Sequence, residues 1–164
     1  MQLAANIGAE VTGVCSTANI DMVRDLGARH VIDYTQRDYT KSGETYDVIF
    51  DTVGKSSFGK SRASLTKNGI FITTVPDPAT LISPLFRGFT SGKRAKMSAT
   101  ELRKDADKIK DMDILKAMIA RGELTSVIDR SYPLEQIAMA HEYVEKGHKR
   151  GNLVITVDHN KALI

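Results

Sequence analysis

Directly after an apolar run that ends at Val14, the chain reads Cys15-Ser16-Thr17-Ala18-Asn19, a turn of hydroxyl and amide side chains with no acid before Asp21. Short hydroxyl side chains at the start of a helix suit two tasks, capping orphan backbone amides and holding a phosphate oxygen, and one does not exclude the other. In a dinucleotide-binding unit, a turn at this place faces the adenosine ribose. An acid there selects the 2'-hydroxyl of NAD, whereas neutral donors and positive charge accept the 2'-phosphate of NADP. The turn around Ser16, Thr17 and Asn19 therefore favours NADP. A second stretch, Asp51-Thr52-Val53-Gly54, closes an apolar strand at the edge where ligands gather in open α/β sheets. Gly54 suits a close backbone approach to a ligand and equally a plain strand-to-helix turn. His30, His141, His148 and His159 have no Cys, Asp or Glu at ligand spacing, and Cys15 stands alone, so no metal site is expected. No pair of side chains reads as nucleophile and base.

The elements that must position these residues follow from apolar periodicity. Leu3, Ala4 and Ile7 fall on one helical face before Gly8. Val11, Val14 and Cys15 make a strand, Ile20, Val23 and Leu26 a helix stopped at Gly27, and Val31-Ile32 the next strand. Asp47 to Asp51 is a compact apolar block bounded by charge, as expected of a central parallel strand covered on both faces. Ile70 to Val75 is another, begun by Asn68-Gly69 and stopped by Pro76. Strands alternating with helices at these distances imply an α/β, doubly wound parallel sheet of Rossmann-like type.

Beyond Pro76 the texture changes. Residues 77 to 92 suit a loop with a short helix. Ser98-Ala99-Thr100-Glu101 has capping-box spacing ahead of a surface helix with Ile109, Met112, Leu115 and Ile119 on one face. Ser126 to Tyr132 reads as a strand, Pro133 opens a helix that places Leu134, Ile137, His141 and Val144 together and ends at Gly147, and Leu153 to Val157 is a last strand.

With 164 residues, 41% hydrophobic and 26% charged, the chain can bury an ordinary core. No apolar run reaches the roughly 20 residues of a membrane span, and Met1 to Asn6 lack the basic flank of a secretory signal, so a cytoplasmic setting without membrane contact is expected. The net charge of +3 concentrates in Arg87, Lys93, Arg94, Lys96, Arg103, Lys104, Lys108 and Lys110. Few aromatics interleave with these bases, which reads as a solvated basic face rather than a nucleic-acid groove.

Four blocks taken together are more specific. Leu26-Gly27-Ala28 through Tyr34, Tyr46 through Gly54, Asn68 through Thr73, and Pro133-Leu134-Glu135 through Ile155 resemble, in order and spacing, the C-terminal half of quinone oxidoreductase-like members of the medium-chain dehydrogenase/reductase superfamily. The resemblance implies a zinc-free, NADPH-dependent reductase that passes hydride to quinones, enones or other carbonyls. It also implies that Met1 to Glu123 form a cofactor domain lacking its first strand and glycine loop, and that Leu124 to Ile164 return to a catalytic lobe whose body lies elsewhere. A truncated, non-catalytic nucleotide-binding or interaction module is the alternative, with a methyltransferase-like domain a more distant one. By the same resemblance, Ser16 and Tyr34 donate hydroxyls to the 2'-phosphate. Asn19 replaces a common basic residue, for which Arg24 could substitute. Val53 and Gly54 lie against the cofactor ribose, Thr74, Val75 and Pro76 lie beside the nicotinamide, and Asn152, where relatives carry lysine, faces the same cleft. Relatives pair edge strands into dimers, and Lys93 to Met97 is the corresponding segment; its basic residues could equally keep a bare edge from sticking. A central strand missing from the sheet would leave two unpaired strand edges.

Overall fold

The computed structural model describes residues 1–75, 92–98, 103–147 and 149–158, in two compact units, one of Met1 with Leu3–Met112 and one of Gln2 with Asp113–Ile164. In the first unit a short helix α1 (Gln2–Asn6) precedes strand β1 (Thr12–Cys15), which pairs in parallel with β2 (His30–Asp33) so that Cys15 stands opposite Asp33. The crossover is helix α2 (Ile20–Asp25), entered through a 3-10 turn at Thr17–Asn19. The threefold spacing of Ile20 and Val23 turns one side of α2 onto the strands, where Val23 joins Cys15 and Ala28 in a small core flanked by Val11, Ile20 and Val31. Close packing here depends on Gly13, because a Cβ at that position would stand 2.4 Å from Val23 Cγ1. Burial pushes the Cys15 thiol up, and the neighbouring Asp33 carboxylate adds to the effect while Arg24 opposes it.

A second ladder in the same unit is formed by β3 (Tyr46–Asp51), β4 (Leu65–Thr73) and β5 (Arg94–Met97), parallel throughout and ordered β3-β4-β5. Helix α3 (Phe58–Ser61) lies between β3 and β4 in sequence and sets the Phe58 ring 6.4 Å from that of Phe71. Phe71 and Leu65, each only 1% exposed, are the deepest apolar side chains of this sheet. The expectation for Asp47 to Asp51 needs correction. The central strand is β4, while β3 lies at the edge of its ladder and leaves Val48 54% and Phe50 56% exposed. An apolar run records what a strand can bury and not which of its faces is covered. The β1-β2 and β3-β4-β5 ladders share no strand, in keeping with the expected interruption of a doubly wound parallel sheet.

Helix α4 (Asp105–Ala120) begins with Asp105 and Asp107 in its first turn, where carboxylates complement the helix dipole. Ser98 belongs to the described residues, whereas 99–102, which carry the rest of the expected capping box, lie outside them, as does the stretch 77–91. Ile109, Met112 and Ile119 stand exposed, and of the anticipated apolar stripe only Leu115 is half-buried.

In the second unit β6 (Ile128–Pro133) pairs in parallel with β7 (Asn152–Thr156), and helix α5 (Ile137–Glu145) is the crossover. Asp129 ties the three together. Its carboxylate accepts from the Tyr143 hydroxyl at 2.8 Å and the Arg150 amide at 2.9 Å, and the Arg130 guanidinium sits 3.7 Å over the Tyr143 ring. Those donors, the Arg150 amide foremost, hold the Asp129 carboxyl below the usual carboxylate range. On α5 the buried residue is Ala140, whereas Leu134, Ile137, His141 and Val144, which spacing places together, are all exposed.

Candidate functional site at the carboxyl ends of the strands

Parallel pairing brings the carboxyl ends of β1 and β2 to one place. The Tyr34 amide donates to the Cys15 carbonyl at 3.0 Å, so Tyr34 follows β2 directly beside the Ser16 turn. Its side chain is 63% exposed there. Ser16 Oγ accepts from Asn19 Nδ2 at 3.3 Å, which leaves the Ser16 hydroxyl proton available to a ligand oxygen. Ser16 and Asn19, although they stand at the starts of the 3-10 turn and of α2, make no side-chain capping bond. The turn is closed by backbone instead, with the Asn19 amide donating to the Ser16 carbonyl at 2.9 Å. Arg24 is on α2 and pairs with Asp21 at 3.5 Å, both side chains being largely exposed.

The remaining hydroxyl of the turn is committed to a partner that the linear order hides. Thr17 Oγ1 donates to Asp33 Oδ2, at the end of the neighbouring strand. Asp33 Oδ1 accepts from the Thr35 amide at 2.9 Å and the Thr35 hydroxyl at 2.7 Å, and Gln36 Nε2 reaches Oδ2 at 3.3 Å. These hydrogen bonds, the Thr17 hydroxyl first, hold the Asp33 carboxyl below the ordinary carboxylate range, so it is ionised at neutral pH. The only local sign of this was Asp33-Tyr34-Thr35, whose Asp-x-Thr spacing suits a carboxylate that folds back on the amide two residues on.

The second group forms at the ends of β3 and β4. Asp51 Oδ1 accepts from the amides of Val53 and Gly54, each at 2.9 Å, and Oδ2 from the Ser56 amide at 2.9 Å. The carboxylate thereby folds the post-strand segment into a tight loop, with Gly54 in the left-handed region at φ +74°. A Cβ on Gly54 would stand 2.9 Å from Val75 Cγ2, so the Val75 side chain rests on bare backbone. The Thr74 amide donates to the Asp51 carbonyl at 3.2 Å, and Thr74 Oγ1 to the Thr52 carbonyl at 3.4 Å. Val53, Gly54, Thr74 and Val75 are thus neighbours, and Val53 points outward, 71% exposed. Below them Tyr39, Ser56 and Ser61 share their hydroxyls at 2.7, 2.8 and 2.9 Å and lock the loop to the segment after β2.

Pro76 lies outside the described residues. Asn152 belongs to the second unit, where its Nδ2 donates to Ser126 Oγ at 3.1 Å and its amide to the Val127 carbonyl at 2.7 Å. The segment Lys93 to Met97 holds β5, the outer strand of its ladder. Among the described residues no group of three His, Cys, Asp or Glu side chains could hold a metal ion, and no helix is long and apolar enough to cross a membrane.

Parallel βα units whose polar residues collect at the carboxyl strand ends define a nucleotide-binding α/β protein. The family model described as zinc-binding dehydrogenase matches residues 26–155, and the chain belongs to that family, among the quinone oxidoreductase-like members of the medium-chain dehydrogenase/reductase superfamily. It is 25% identical over 159 residues to a chloroplast envelope quinone oxidoreductase homolog of Arabidopsis thaliana, covering 94% of this chain and 47% of that protein. With a mitochondrial NAD(P)H oxidoreductase of Mus musculus it shares 31% over 172 residues, covering 92% and 42%. The structure of the quinone oxidoreductase from Coxiella burnetii superposes with a TM-score of 0.78 at 25% identity, over 96% of this chain and 48% of that one. The chain therefore spans about half the length of the curated relatives it matches.

Proposed function

We propose that this chain is the cofactor-binding portion of a zinc-independent, NADP(H)-dependent reductase acting on quinones, enones or related carbonyls. The observation that carries the reading is the convergence of Ser16, Asn19 and Tyr34 at the joined ends of β1 and β2, with Arg24 on the adjoining helix. The donor set fits an adenosine carrying a phosphate. It presents neutral hydroxyls with protons to give and one cation on α2. The bare backbone at Gly54, backed by Val75, is a surface a side chain would fill, and it fits a ribose.

When bound, the reduced nicotinamide supplies the hydride, and the protein supplies position, dryness and electrostatics. Ser16 and Tyr34 would orient the adenosine end, Gly54 would admit the sugar, and the exposed Val53 with Val75 would exclude water. The named activities of the relatives support the choice of substrates. A small-molecule substrate is implied. The outer edge of β5, where Arg94 and Lys96 are exposed, is where we place a homodimer contact.

Calorimetric titration of the chain with NADPH and NADH tests this reading. Submillimolar NADPH binding, weakened about tenfold by Gly54→Ala through the clash with Val75, supports it. Binding without reductase activity toward a quinone, even when the segment that precedes this region in the relatives is supplied, identifies a non-catalytic nucleotide-binding module. Failure to bind either nucleotide refutes both readings.

A further inference from the structure

The Ser16 turn has no acid in its own sequence, yet folding gives it one. Asp33 closes β2 opposite Cys15 and receives the Thr17 hydroxyl, so a carboxylate stands against the turn to which we assign the adenosine 2'-position. It is no spare ligand for a ribose hydroxyl. Thr17, the Thr35 amide, the Thr35 hydroxyl and Gln36 bring four donors to its two oxygens, which accounts for the four lone-pair sites of a carboxylate. What the group contributes outward is therefore its charge. The opposite charge comes from Arg24 on α2, the helix that follows the turn. A phosphate placed here would meet one charge of each sign, and the Arg24 charge is already shared with Asp21.

We propose that Asp33 is a specificity-determining residue of this site, acting through its negative charge to oppose a 2'-phosphate, so that the native preference for 2'-phosphorylated adenosine nucleotides is weaker than Ser16, Tyr34 and Arg24 alone would set. The inference rests on the assignment of the Ser16 turn to the adenosine end of a dinucleotide. Asp33 holds its place whether or not it is charged. In Asp33→Asn the side-chain oxygen retains the Thr35 donors and the amide donates to Thr17 Oγ1, whose own proton turns to Thr35 Oγ1, 3.2 Å away, while the exposed Gln36 amide loses its acceptor and turns to water. Removing one unit charge that opposes a phosphate near the protein surface is worth on the order of tenfold in affinity.

The test is calorimetric titration of the full chain with 2',5'-ADP and 5'-AMP, which differ only in the 2'-phosphate, at neutral pH and low salt. For the native chain 2',5'-ADP should bind the tighter of the two, by no more than about tenfold. In Asp33→Asn the ratio should move about tenfold toward 2',5'-ADP while 5'-AMP affinity changes less than about twofold. Asp33→Ser, which also lacks the charge, should move the ratio in the same direction, so the result does not hang on the folding of one variant. A loss of structure alone would weaken both ligands together and leave the ratio in place. An unchanged ratio in both variants, or a strong native preference for 2',5'-ADP, overturns the inference and leaves the proposed function standing. Binding of neither ligand to the native chain overturns both.

Discussion

Gly13→Ala should destabilise the first unit through a single steric conflict, and a second substitution should relieve it. The new Cβ would stand 2.4 Å from Val23 Cγ1, 3.2 Å from Met1 Sδ and 3.4 Å from Ala28 Cβ. Carbon atoms in contact settle at roughly 3.5–4.0 Å, so the first of these distances must open by more than about 1 Å. The Met1 sulfur ends a flexible side chain and the Ala28 contact is ordinary. Val23 has no such latitude. It is buried in the small core with Cys15 and Ala28, and its branched Cβ restricts χ1, so α2 itself must lift from β1. Overpacking of this kind costs about 1–3 kcal/mol, and the stiffer unfolded chain of an alanine variant returns about 0.4–1 kcal/mol, leaving a net loss of about 1–2 kcal/mol. Val23→Ala alone removes both γ-carbons from the core and costs about 2 kcal/mol. The double variant has no clash and a methyl in part of the vacated space, so its loss should fall short of the sum by about 1–2 kcal/mol. Because the single cysteine lies in this core, pulsed thiol labelling across a urea gradient reads its unfolding directly. Losses that add to within about 0.5 kcal/mol would refute the reasoning, since they would show that Gly13 and Val23 do not compete for one space.

Phe71→Ala should cost about 3–5 kcal/mol and Phe50→Ala less than about 1 kcal/mol by urea denaturation, although the two residues stand on adjacent strands of one ladder; comparable losses would show that the β3 face is covered. The carboxyl of Asp129 is held lower in the folded chain than in the unfolded one, so its contribution is fully present above the ordinary carboxylate range and fades as pH falls through the lowered value. Native protein should accordingly lose stability more steeply than Asp129→Asn as pH falls from about 5 through the lowered carboxyl range, which midpoint measurements at a series of pH values will show; parallel profiles would mean that Asp129 contributes nothing in acid.

Much of the architecture is legible in the chain. The spacing of Ile20 and Val23, the stop at Gly27 and the blocks at Val48 and Ile70 place helices and parallel strands where they are found, because the period of apolar residues records how each segment meets a core. The hydroxyl turn at Ser16 is visible for a similar reason, since its residues are adjacent in sequence. Capping was equally legible there, and the folded turn makes no use of it.

Three features required the fold. Periodicity shows that Val48 and Phe50 share a face but cannot say whether anything covers it, since cover comes from elements distant in sequence; β3 proved to be an edge strand with that face open. Gly13 is an unremarkable strand residue until α2 lies across it. The sign of the charge beside the Ser16 turn is set by Asp33, sixteen residues beyond Thr17 and brought to it by parallel register. The chain's own order thus determined the elements and the donor chemistry at each strand end. Which strand ends meet, and so which charges act on one ligand, was decided by tertiary pairing, because hydrogen-bond register and Coulomb forces depend on distance in space and not along the chain.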